Sequence, residues 1–262
     1  MDLICDERES ESPFVERIWH GQGIEAGNFI SMAEIEYGMV VTKFRGKTFV
    51  TLRGPATKAT SAFCPADAEF VGIQFKPGVF MRGLPATLVM ERRDITLPEA
   101  SSTAFWLDGS AWDYPDYENA DTFIGWLIHA DLLVHEPLVR AVLKSQPVEL
   151  SLRTVQRRFL RATGLPVNTI HQINRALLAT DMLKRGTSIL DTVFEGGYYD
   201  QPHLTRALKR FVGLTPAQIT NPDRSERLSF LYKQNPSWLG YNTNVLRMTG
   251  GFPSLSTSSE RF

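Results

Sequence analysis

An α+β fold in two sections, a β-rich front followed by an all-α rear, is what this sequence predicts. Three observations carry the prediction. Short apolar runs bounded by Gly and Pro recur between residues 14 and 97. Apolar residues fall at helical spacing from Asp121 to about Ile219. In the helical section, a stretch of sequence is echoed by a second stretch at a fixed offset. The chain has 262 residues, 43% hydrophobic and 22% charged, which is globular composition and excludes a disordered chain, a collagen or a coiled-coil rod. No window approaches the roughly 18 uncharged apolar residues of a transmembrane helix. The opening MDLICDERESES lacks a basic region followed by an apolar run, so no secretory leader is expected. Cys5 and Cys64 give no disulfide framework, and a cytoplasmic setting follows as the expectation.

In chain order, Val15–Trp19, Met39–Phe44, Phe49–Leu52 and Phe70–Phe75 read as strands of a sandwich or barrel rather than of βαβ units. GQGIEAG (21–27) lacks the G-x-G-x-x-G spacing and reads as a turn cluster. Residues 105–120 read as an aromatic, acidic loop. A helix follows, with Asp121 as N-cap and Phe123, Ile124, Leu127 and Ile128 on one side. From there helices alternate with short turns. Beyond Pro222 the tail is turn-rich and ends in a Ser/Thr-rich segment expected to be mobile. The expected division is 1–120 for the β-rich domain, 121–147 for a helical linker and the start of the first helix-turn-helix, 148–221 for the rear domain and 222–262 for the tail.

The echo pairs SLRTVQRRFLRATGLP (151–166) with DQPHLTRALKRFVGLTP (200–216). Ser151 and Asp200, Val155 and Leu204, Arg157 and Arg206, Phe159 and Leu208, and Gly164 and Gly213 all stand 49 apart. Each copy reads as a short amphipathic helix with a polar N-cap and a Gly to close it in the left-handed region. Leu152, Val155, Phe159 and Ala162 form the apolar stripe of the first, and Leu204, Ala207, Leu208 and Phe211 that of the second. Ser188–Phe194 predicts another short helix, ended by Gly196-Gly197 ahead of the second copy. Helix, tight turn and basic helix together make the helix-turn-helix arrangement, whose second helix enters the major groove. Asn168–Lys184 runs between the copies without a breaker and predicts a strut of 17 residues, roughly 26 Å. Such a strut sets two reading helices about one DNA turn apart, ~34 Å.

A net charge of −1 conceals a dipole. Residues 1–140 hold 12 Lys and Arg against 21 Asp and Glu, residues 141–221 hold 11 against 5, and the tail holds 5 against 3. The net values are −9, +6 and +2, so the near-neutral total does not argue against a polyanionic partner.

These residues resemble the AraC/XylS family of bacterial transcription regulators. The match is carried by Ser188-Ile189 and GGYYDQPHLTRALKRFVGLTPAQI (196–219), with Arg175 and Ala179 in the connecting helix, and covers about 151–219. Upstream, GIQFKPGVFMRGLPA (72–86) and ITLPEA (95–100) resemble the sensor-type domain of one branch of that family, as does SFLYK (229–233). The resemblance implies a cupin-like front domain ahead of an all-α domain with two helix-turn-helix units joined by a long helix. It implies base-reading roles for Arg153, Gln156 and Arg157 in the first unit and for Gln201, Thr205 and Arg206 in the second. The chemistry agrees, because Arg forks onto guanine and Gln onto adenine in the major groove. Arg158, Arg161, Lys209 and Arg210 are placed for phosphates, which position the protein without specifying sequence. Pro137–Leu143 serves as first helix of the leading unit, with SQPVEL as a longer turn. Thr192-Val193 stand where the second unit usually packs an apolar–Ala pair.

The implied partner is double-stranded DNA, with a small-molecule effector, a second copy of the chain and RNA polymerase as further candidates. No enzyme, cofactor or metal is expected. The five histidines show no H-x-H or H-E-x-x-H spacing, and Asp108, Asp113, Asp116 and Glu118 do not follow an EF-hand. Cys64 reads as a buried small hydrophobe. Trp19, Phe63, Phe70, Phe75, Trp106 and Trp112 read as core, with lining a pocket as the alternative. The rival readings make the front domain a cupin-like enzyme, or a protein-interaction module, with DNA binding as targeting.

Overall fold

The computed structural model describes residues 3–91, 95–221 and 228; the expectations for the tail and for SFLYK lie outside them. Strands β1 (Leu3–Arg8), β2 (Val15–Gly23), β3 (Gly27–Ser31), β4 (Gly38–Phe44), β5 (Lys47–Arg53), β6 (Thr60–Cys64), β7 (Glu69–Phe75) and β8 (Val79–Met81) come first. A one-turn helix α1 (Ala86–Val89) is followed by β9 (Ile95–Thr96), β10 (Glu99–Ser101), β11 (Ala104–Leu107) and β12 (Ser110–Asp113). Then come α2 (Ala120–His129), β13 (Leu133–His135), α3 (Pro137–Leu143), α4 (Leu152–Thr163), α5 (Val167–Lys184), α6 (Ile189–Glu195), α7 (Gln201–Phe211) and α8 (Pro216–Thr220).

The main sheet runs β1-β2-β7-β4-β5-β9, with every pairing antiparallel. Its register sorts the strands into faces. Val15 opposes Phe75, Ile18 opposes Ile73, and Met39 lies between Ile73 and Leu52, so one face is a continuous apolar layer. All of these are buried, in a core that continues into Phe105, Phe123, Ile124 and Leu127. Trp19 faces the other way and lies flat over Gly72 of the neighbouring strand. A Cβ at Gly72 would stand 1.9 Å from Cε2 of that indole. Gly72→Ala is therefore expected to destabilise the chain by about 2–3 kcal/mol, since a well-packed neighbour must move. An unchanged denaturant midpoint in that variant would contradict the close approach.

Several expectations change. The segment read as a loop over 105–120 contains a hairpin, β11 with β12, turned at Asp108-Gly109 with positive φ at both residues. An Asp-Gly pair between apolar runs favours that tight turn. Asp121 does not cap α2: the N-cap residue is Asn119, while the Asp121 carboxylate accepts hydrogen bonds from Ser10 Oγ and Arg8. Burial pushes that carboxyl up, but the Ser10 and Arg8 bonds outweigh it and hold it below its usual range. The helical stretch from Asp121 is interrupted by β13, which pairs with β8. Of the six aromatics read as core, Trp19 and Phe75 are buried and Phe63 and Trp106 are exposed. Cys64 is buried, and burial pushes its thiol up.

A network of polar groups joins the strands on the Trp19 side. Arg17 Nε donates to Gln74 Oε1 at 2.7 Å, Gln74 Nε2 approaches Glu34, and Arg53 stands 4.0 Å from Glu34. Burial, with help from the Glu34 charge, raises Glu36 beside them to about 7. No local sequence pattern marks this cluster, because its members come from three strands and a loop.

Candidate nucleic-acid interface

Both copies of the repeat are helices whose ends are built alike. Ser151 Oγ accepts from Thr154 N at 3.3 Å to start α4, and Asp200 Oδ1 accepts from His203 N at 2.7 Å to start α7. Each bond satisfies a helix-end donor that has no partner within the helix. Gly164 and Gly213 both adopt positive φ, as expected of residues that close a helix in the left-handed region. Inside, Phe159 and Ala162 of α4, and Leu204, Leu208 and Phe211 of α7, are buried. Leu152 departs from its expected stripe and is 71% exposed. It sits at the first helical position, and the buried residues of α4 lie further along, at Phe159, Ala162 and Thr163.

The opposite faces carry the expected reading residues. Arg153, Gln156 and Arg157 on α4 are exposed, as are Gln201 and Arg206 on α7, with Thr205 half-buried. Arg153, Arg157 and Arg206 make no ion pair among the described residues, so their guanidinium forks are available. Arg161, Lys209 and Arg210 are also exposed, and the Arg210 guanidinium lies 4.9 Å from the Phe211 ring. Arg158 is engaged: its Nε and one terminal nitrogen donate to the two carboxylate oxygens of Glu136 at 2.9 and 2.7 Å. That carboxylate also caps α3 by accepting from Leu138 N and raises the Arg158 guanidinium further.

The two units differ in the turn before the reading helix. In the second, α6 is followed by Gly196 and Gly197, of which Gly197 has positive φ, and α7 begins after Asp200. In the first, α3 covers Pro137–Leu143 as expected and a longer loop leads to Ser151. The strut α5 has 18 residues, about 27 Å. It is stitched to the second unit by Arg175, whose guanidinium lies 4.6 Å from the Tyr198 ring and donates to the Gly197 carbonyl. Burial pushes the Tyr198 phenol up to about 12, against the opposing pull of Arg175. Thr192 is fully buried, and its hydroxyl has no partner among the described residues. The polar atom there costs solvation that the usual apolar residue would not.

Among the described residues no group of three or more His, Cys, Asp or Glu is placed to hold a metal ion. No helix among them is long and apolar enough to cross a membrane.

Comparison with known proteins bears on the rear half. Residues 145–221 match a family model described as a helix-turn-helix domain. The HTH-type transcriptional regulator RipA of Corynebacterium diphtheriae is 31% identical over 98 residues, which are 37% of this chain and 28% of that protein. The matched region thus spans little more than a quarter of that relative's length. Among solved structures, ToxT from Vibrio cholerae aligns over 84% of this chain and 98% of its own, at 10% identity and a TM-score of 0.35.

Proposed function

We propose that this chain is a sequence-specific transcription regulator of the AraC type that reads two successive major grooves of double-stranded DNA through residues 145–221, which match a helix-turn-helix family model. The observation that carries the reading is the equivalence of the two helices. At positions 49 apart, Arg157 and Arg206 stand exposed, and without an ion partner among the described residues, on helices that start at equivalent side-chain caps and end beside a Gly with positive φ. Arg153 and Gln156 extend the base-reading set on α4, and Gln201 and Thr205 extend it on α7. Arg161, Lys209 and Arg210 supply the phosphate contacts, and Arg158 joins them where it leaves Glu136. The front half, residues 1–120, serves in this reading as a cytoplasmic sensor or association domain of cupin-like type, without catalysis. Residues 121–147 link it to the DNA-binding domain at 148–221.

Selection from a random-sequence duplex pool by the purified full chain tests this directly. The expected product is a bipartite site, two short elements centred about 10 base pairs apart. A selected pool with no sequence enrichment would overturn the reading.

A further inference from the structure

The two reading helices rest on different supports. Helix α4 packs on α3, α1 and β8, and Gly164 at its end brings it so close to α1 that a Cβ there would lie 3.2 Å from the Ala86 carbonyl. Its neighbour α3 follows directly from β13, the partner strand of β8, and Glu136 at that junction holds Arg158 of α4. The first reading helix is therefore mounted on the β-rich half. Helix α7 packs instead on α5, α6 and α8.

A second contact ties α7 to the β-rich half. The last carbonyls of a helix lack intrahelical donors. Here the donors come from loops beside β3 and β6: Ala59 N donates to the Arg210 carbonyl at 2.8 Å, and Ala33 N to the Phe211 carbonyl at 2.7 Å. A Cβ on Gly213 would lie 2.8 Å from Ile30 Cγ2 and 3.1 Å from Ala59 Cβ, so the chain passes against this rim with no room to spare. Ile30 also forms a parallel bridge with Leu228. The contact grips the C-terminal end of α7 and leaves Gln201 and Arg206 exposed.

Resting on the DNA-binding reading above, we propose that Ile30, Ala33 and Ala59 form a spacing clasp. Although they lie outside the helix-turn-helix region, these positions hold α7 at a set distance and angle from α4, and so determine which half-site spacing the chain accepts. The clasp covers no reading residue, so it preorganises the pair of helices rather than masking them. Opened, it frees α5 and everything packed on it to move about the Gly164–Pro166 connection. Binding to two half-sites then loses the advantage of a fixed effective concentration.

The test uses the full chain and the duplex it selects, with one to three base pairs inserted or removed between the half-sites. In the wild type, each change of spacing is expected to weaken binding by roughly tenfold or more, as for any rigid bivalent binder that cannot span its sites. In Ile30→Asp and Ala59→Asp, that penalty is expected to fall to roughly threefold or less while affinity for an isolated half-site stays the same. Retained spacing discrimination, or tighter binding to the native spacing, in folded variants would overturn the clasp. The milder Ile30→Ala, which removes the side chain packed against Gly213 without burying a charge, answers even if the Asp variants do not fold. It is expected to lower the spacing penalty in the same direction, and a penalty equal to that of the wild type in this variant would overturn the proposal. If the wild type enriches no sequence, it is the DNA-binding reading that fails.

Discussion

Replacing Arg157 or Arg206 with Ala is expected to weaken binding to the selected operator by ~1–3 kcal/mol each, roughly 5- to 150-fold, and to relax the base preference at one position per variant. The magnitude follows from geometry. A guanidinium fork donates two parallel hydrogen bonds to guanine, and a truncated side chain leaves those acceptors unsatisfied in a desolvated groove. Both residues are exposed and sit at equivalent places on their helices, so neither substitution removes a packing contact within the described structure. Because the two side chains address different half-sites, the double variant is expected to lose about the sum of the two effects. Arg→Lys at either position is expected to recover little, because a point ammonium lacks the fork. Selection by each variant, with titration against the wild-type site, checks the prediction. Unchanged affinity in both would remove these residues from the base-reading role.

Affinity is also expected to fall steeply with salt. Each neutralised phosphate contributes about −0.9 to the slope of log affinity against log salt, so roughly four contacts predict a loss on the order of a hundredfold between 50 and 200 mM. Arg161, Lys209 and Arg210 are exposed and available for three of these. Arg158 decides the fourth, since in the free chain it is held by the two oxygens of Glu136. Arg158→Ala is expected to flatten the slope by about 0.9 if DNA draws the guanidinium away, and to leave it unchanged if the ion pair persists in the complex. A flat response in the wild type would remove the phosphate contacts altogether. The acidic stretch 1–140, at −9, makes such contacts necessary, because it repels the same backbone that the rear half must approach.

Much of the interface is legible in the residues because its signals are local. A Ser or Asp three residues before the amide it caps, an apolar stripe at helical period, and a Gly at the helix end are all contained within one short helix and its flanks. The repeat doubles each of them. The Asp108-Gly109 hairpin carried an equally local signal, hidden by the aromatic and acidic residues around it. Leu152 shows the limit of periodicity: its position on the helical wheel fits the core, but the stripe is buried only where a neighbouring element reaches it.

What the amino acids determine along the chain is therefore the pair of capped basic helices, the strut between them and the β-rich character of the front, since each depends on residues within a few turns of one another. What required the packed molecule is how those elements are mounted. The pairing of β13 with β8 beneath α3, the capture of Arg158 by Glu136 and the rim that receives the end of α7 join residues from 22 to about 180 positions apart. Backbone donors and carbonyls supply the strand pairing and the rim, and every residue type but proline offers both. Only the sheet packing that brings Ala33 and Ala59 against a helix end turns those common groups into a specific junction.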